Sequence, residues 1–208
     1  MRPIRPAIAS LALVAALAAC NAERTADAGV EAAADAIEAI EPGTEPPGAA
    51  AAIPASGDSR MDGYGALDFG MSAEEARADW SGNPLEPAGA VDDPQACYHL
   101  SPAGQSTPAQ LAFMFENDLF VRYSVESTDI TAPGGGRVGM DQAALEGLYG
   151  RRLTAMPHKY VEGGQVLMSP EDGGALPSQL IFELDAAGRV TSWRVGLAPQ
   201  VGYVEGCS

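Results

Sequence analysis

The chain repeats itself. Pro108, Ala109, Gln110, Leu111, Ala112 and Phe113 return 69 residues later as Pro177, Ser178, Gln179, Leu180, Ile181 and Phe182, with four of the six positions identical. The same shift carries Gly70 and Met71 onto Gly139 and Met140, and a shift of 68 carries Ser101 and Pro102 onto Ser169 and Pro170. Three matches at nearly one spacing lead us to expect two copies of one supersecondary unit in residues 61–208, about 61–130 and 131–208. That length suits one compact core.

Each copy opens with a helix signal. Ser72 and Glu75 have capping-box spacing, which predicts a helix from about Ala73 to Trp80 that stops near Gly82. Asp141 caps a second from about Gln142 to Tyr149, ended by Gly150. Strands are predicted over 96–101, 110–116 and 119–126, the last two joined at Asn117 and Asp118, and their counterparts over 165–169, 179–184 and 189–195. Period-two alternation puts Leu111, Phe113 and Phe115 on one face with Leu180, Phe182 and Leu184, and matches Tyr123 and Val125 to Trp193 and Val195. The expected class is α+β: two tandem helix-plus-antiparallel-meander repeats form one continuous antiparallel sheet with the helices on one face, which hides both inner edges.

Ahead of the repeats lies a different composition. Arg2 and Arg5 precede an uncharged, mostly apolar run from Pro6 to Ala19, too short to span a bilayer and flanked like a secretory signal. It ends in Leu17, Ala18, Ala19 and Cys20, which resembles a bacterial lipobox; the alternative is an ordinary signal peptide cut nearby. The resemblance implies a lipoprotein signal peptide over 1–19, an acylated Cys20, and, with Asn21 following, sorting to the outer membrane. Residues 20–60 then read as a disordered tether rich in Ala, Pro and Glu, without an aromatic residue. Loss of Arg2 and Arg5 takes the formal charge from −16 to −18. Nucleic acid would repel so acidic a chain.

In an exported chain whose Cys20 carries lipid, Cys97 and Cys207 are the two cysteines left, and an oxidising compartment favours their disulfide. Free thiols or a metal pair are the alternatives, though two cysteines without clustered histidines make a poor zinc site.

The order of Phe69, Gly70, Met71 and Ser72, and again Val138, Gly139, Met140 and Asp141, each followed by a short helix and a meander, resembles the repeat of the beta-lactamase inhibitor protein and of the SmpA/BamE outer-membrane lipoproteins. The resemblance covers most of residues 62–208. It implies helices backed by a concave antiparallel sheet whose open face binds protein. The second helix of each inhibitor repeat has no counterpart here, because residues 82–94 hold three prolines and two glycines.

Motifs for chemistry are sparse. The chain contains no Gly-x-Ser-x-Gly elbow, HExxH, P-loop, CxxC or EF-hand spacing. Gly134 to Gly136 read as a turn between the repeats rather than a phosphate cradle, since no lysine follows them. From residue 61 onward there are 20 acids against eight Lys and Arg, yet Arg151, Arg152 and Lys159 fall within nine residues beside His158 and Tyr160. That segment is either solvated surface or a contact for an acidic partner, in which arginine forks would bind carboxylates. Tyr98 and His99 are expected to face the same groove. The expected function is therefore that of a non-catalytic envelope lipoprotein without a cofactor or metal. Its domain would bind a protein, such as a cell-wall-degrading enzyme that it inhibits, or a cell-wall glycan. The alternatives are an outer-membrane assembly factor and, more distantly, a hydrolase.

Overall fold

The computed structural model describes residues 53–207 apart from residue 94. The expected signal peptide, Cys20 and the tether up to residue 52 lie outside the described residues. The fold is an α+β domain with two short helices and one large antiparallel sheet. In chain order the strands are β1 (Gly63–Tyr64), β2 (Leu67–Asp68), β3 (Leu85–Pro87), β4 (Tyr98–Pro102), β5 (Leu111–Glu116) and β6 (Leu119–Val125). They continue with β7 (Thr154–Pro157), β8 (Gln165–Met168), β9 (Ser178–Leu184) and β10 (Val190–Leu197). The helices are α1 (Ala73–Asp79) and α2 (Gln142–Tyr149). Strands β1 and β2 form a small ribbon, and the other eight form one sheet in the order β3-β4-β5-β6-β10-β9-β8-β7.

Local chemistry accounts for these elements. The Ser72 side chain accepts from Glu75 N at 3.2 Å while the Glu75 carboxylate accepts from Ser72 N at 2.8 Å, so α1 starts on a reciprocal cap. Asp141 Oδ1 accepts from Ala144 N at 2.8 Å at the start of α2. Asn117 and Asp118 have φ of 53° and 59°, the left-handed pair that a tight β5–β6 turn needs. Between β9 and β10, Asp185 Oδ1 accepts from the backbone N–H of Ala187 and Arg189, which fixes the longer turn.

The same hydrogen bonds occur in each half of the sheet. Gly70 N donates to Phe120 O and Phe120 N to Met71 O, both at 2.8 Å; Gly139 N donates to Val190 O and Val190 N to Met140 O, also at 2.8 Å. The register slips by one residue at Val121 in β6 and at Thr191 in β10. Because of the first bulge, Phe120 and Tyr123, an odd number apart, both reach the core. The halves meet where β6 pairs with β10, with Trp193 opposite Val125 and Val195 opposite Tyr123.

One buried cluster joins Ala73 and Ala76 of α1 and Leu145 and Tyr149 of α2 to Phe113, Phe115, Tyr123, Phe182, Trp193 and Val195 of the sheet. Gly134 to Gly136 are part of this packing: Gly136 N donates to Tyr149 Oη at 2.9 Å, and a Cβ on Gly136 would come within 2.5 Å of Phe182 Cζ.

Two expectations need correction. Residues 53–60, assigned to the tether, belong to the fold. Ile53 packs on the core, Ser59 is buried, Gly134 N donates to Pro54 O at 2.7 Å, and the Tyr123 hydroxyl donates to Arg60 O at 2.8 Å. Within the segment 82–94, β3 pairs with β4. The first meander strand begins at Tyr98 rather than residue 96, since Gln95 N and Ala96 N donate to Asp93 instead of to a neighbouring strand.

Candidate binding site on the open face

Alternation gives the sheet a second face. Across the register, Met114, Arg122, Gly196 and Gln179 form one row, and Ala112, Ser124, Arg194 and Ile181 the next. Beyond them Ser192 pairs with Glu183. Met114 and Ile181 are buried yet lie outside the helix-side cluster, so this face has its own cover. That cover is the C-terminal segment. A 3-10 turn, Gln200–Gly202, buries Val201 against the face.

Two arginines hold the segment down. Arg122 Nη1 donates to Gln200 O at 3.2 Å and to Tyr203 O at 2.6 Å, and Arg194 Nε donates to Val201 O at 2.6 Å. The Cys97–Cys207 disulfide, with Cα atoms 5.2 Å apart, ties its end to the start of β4. Residue 196 must be glycine for this layering, since a Cβ there would stand 2.7 Å from Arg122 Cβ and 2.8 Å from Val121 O.

Above the strap the face opens into a cavity of about 330 Å³. His99, Ser101 and Ala112 line one side, Arg122, Ser124 and Arg194 the floor, Glu126, Glu183 and Ser192 the far side, and Glu205 and Gly206 the lip. Glu183 is the hub of its polar contacts. It accepts from Arg194 Nη1 and from Ser192 Oγ at 3.3 Å, with His158 Nε2 at 3.5 Å. His158 Nδ1 accepts from the backbone N–H of Tyr160 and Val161, so Nε2 carries the hydrogen toward Glu183.

Burial pulls against charge throughout this site. It raises the Glu183 carboxyl, but Arg194 and His158 together outweigh it and hold the group below the usual carboxylate range. Burial, then the neighbouring Arg194, pull Arg122 down to about 9. Burial and Arg122 pull His99 down to about 4, so its imidazole is neutral at neutral pH. Burial and Glu183 push Glu126 up.

The residues singled out from sequence scatter over this arrangement. Cys97 and Cys207 are joined, and Cys20 lies outside the described residues. Arg151 and Arg152 sit in the 3-10 turn after α2, where Arg152 Nε donates to Tyr149 O at 3.1 Å. Strand β7 runs through the basic segment. Lys159 lies 4.7 Å over the Tyr160 ring and 3.9 Å from Glu205, which also accepts from the Tyr160 hydroxyl. His158, Lys159 and Tyr160 thus reach the cavity lip and its hub.

Tyr98 and His99 do not face one groove. Tyr98 stacks on Phe115 at 5.6 Å on the helix side while His99 lines the cavity, because neighbouring strand residues point to opposite faces. Arg122, Glu183 and Arg194 went unnoticed in the sequence. Their signal was a lone charge between apolar strand neighbours: Val121 and Tyr123, Phe182 and Leu184, Trp193 and Val195.

Among the described residues no group of three or more His, Cys, Asp or Glu side chains is placed to hold a metal ion. No family model and no curated protein matches the chain. Among solved structures, an extracellular protein containing a SCP domain from Bacillus anthracis str. Ames is similar, at 12% identity and a TM-score of 0.40. The match covers 69% of this chain and 47% of that one, so the chain spans about half that protein's length. A likeness this distant carries no argument about function.

Proposed function

We propose that the chain is a non-catalytic envelope lipoprotein, anchored to the outer membrane through Cys20, whose folded domain recognises a protein partner. In this reading the domain is two tandem copies of one helix-plus-meander unit, as in the beta-lactamase inhibitor and SmpA/BamE resemblance. The recurrent Gly-Met hydrogen bonds and the matching bulges at Val121 and Thr191 support the duplication.

One observation carries the partner reading. Strand β7 ends the sheet, pairs with β8 alone and is exposed along its whole length. Met156, Tyr160 and Val161 expose large apolar surface at and just beyond it, beside the cation of Lys159. A bare strand edge with apolar anchors suits β-strand addition by another protein better than it suits a polar glycan. An inhibitor of a secreted, cationic cell-wall-degrading enzyme fits the acidic body of the domain. The outer-membrane assembly role is the second reading.

The test is cross-linking capture from envelope extract with the full chain, a Met156→Asp variant, and an Arg151→Ala/Lys159→Ala variant. Enrichment of one secreted enzyme that both variants lose supports the proposal. Capture of the same barrel proteins by all three moves the assembly role ahead.

A further inference from the structure

The two buried arginines of the open face are not equally paired within the fold. Arg194 has a counter-ion in Glu183, whose oxygens are already shared with Ser192 and His158. Arg122, only 6% exposed, forms no ion pair among the described residues. Its Nε donates to Ser124 Oγ at 2.8 Å and its Nη1 to two backbone carbonyls, all neutral acceptors. Each guanidinium has Nε and Nη1 engaged and no hydrogen bond at Nη2 among the described residues, and both residues line the cavity. Glu183 acts on Arg122 without a direct ion pair; a buried cation with no hydrogen-bonded counter-ion is costly, and a second cation beside it adds to the cost. An anion entering the cavity would relieve both.

Cavity chemistry narrows the anion. With Nε and Nη1 engaged, each arginine offers its Nη2 group, and the two oxygens of one carboxylate can each accept from one of them. The rim carries Glu126 and Glu205, which oppose a doubly charged guest. Ala88, Pro108, Ala109, Ala112 and Val204 supply apolar wall for a compact body. A volume of about 330 Å³ lies at the small end for ligand sites. We infer that the cavity between the strap and the open sheet face binds a small aliphatic monocarboxylate, held at Arg122 and Arg194. The site adjoins the partner surface through Lys159 and Tyr160, which touch its lip at Glu205, but it does not rest on that reading.

Isothermal titration of the full, disulfide-bonded chain with isobutyrate, isobutyramide and inorganic phosphate tests the site. Isobutyrate should bind about tenfold or more tightly than its neutral isostere, since the hydrogen bonds it accepts are charge-assisted. Ser124→Asp places a carboxylate beside Arg122 and supplies an internal counter-ion. It should abolish isobutyrate binding and raise the melting temperature. Glu126→Gln, at the rim, should tighten isobutyrate about twofold. The inference is overturned by equal affinity for acid and amide, by phosphate binding more tightly than isobutyrate, by wild-type affinity in Ser124→Asp, or by unchanged or weaker affinity in Glu126→Gln. Partner capture by Ser124→Asp, whose β7 surface is intact, separates this outcome from that of the recognition proposal.

Discussion

The two faces of the sheet are held by different physics. On the helix side, rings meet edge to face: Tyr64 with Tyr123 at 5.2 Å, Trp80 with Phe113 at 5.2 Å, and Tyr123 with Trp193 at 5.7 Å. Apolar area is the driving term there, at roughly 25 cal/mol for each Å² buried, and it needs no partner of special chemistry. On the open side the cover is a short C-terminal strap held by Arg122, Arg194 and one disulfide. Each of those bonds has to be made, because an unpaired buried donor costs more than the bond contributes. A face built by area tolerates a change of shape that keeps volume. One built by polar contacts does not tolerate loss of a partner.

The largest effect should come from the helix side. Trp193 is fully buried at the centre of the sheet, and Trp193→Ala should cost about 3–5 kcal/mol by urea denaturation. Its Nε1 has no hydrogen-bond partner among the described residues, so Trp193→Phe loses volume and no bond there and should cost under about 1.5 kcal/mol. If the phenylalanine variant is as damaged as the alanine one, a polar role for the indole has been missed, and the contrast between the faces fails at its centre.

The strap gives the next effect. Cys97 and Cys207 close 110 residues of chain, a loop for which the chain-entropy account gives about 4–5 kcal/mol. The strap lies at the chain's end and can lift while the sheet stays folded, so replacing both cysteines with alanine should cost less, about 2–3 kcal/mol. Limited proteolysis should then cut near Gly202 while the segment 111–197 stays protected. Wild-type protection of the tail would mean that Arg122 and Arg194 suffice to hold it and that the disulfide is redundant.

This contrast also explains what could be read in advance. Helix caps at Ser72 and Asp141, the Asn117-Asp118 turn and the core alternation of Phe113, Phe182 and Trp193 are local signals, and each is found where the pattern put it. Both edge strands were missed, because β3 and β7 are short, carry Pro87 and Pro157, and have little alternation. The open-face site was illegible for another reason. Arg122 bonds to carbonyls 78 and 81 residues away, a separation no spacing in the chain announces, and Arg194 bonds to Val201 across a turn that carries no motif. The basic run at 151–159 drew notice because it is contiguous, yet Arg151 and Arg152 lie in the turn after α2 and only His158 reaches the polar hub.

The smallest effect belongs to the cavity and is read by pH. Burial and the Arg122 charge lower His99 from 6.5 to about 4 in the folded state. Between those values the unfolded chain binds more protons than the folded one, so stability rises with pH across the window. The contribution is complete above about 6.5 and is lost as pH falls toward 4. Lifting of the strap lets His99 protonate without global unfolding, which limits the effect to on the order of 1 kcal/mol. Glu183, held low, acts in the same sense but below 4.5, whereas Glu126, held high, acts in the opposite sense. His99→Gln removes the imidazole and leaves both carboxylates. Urea midpoints of the variant should therefore be flatter than those of the wild type from pH 6.5 down to about 4. Curves that stay parallel over that range would show that His99 protonates freely in the folded chain, and that the cavity is wetter than its walls suggest.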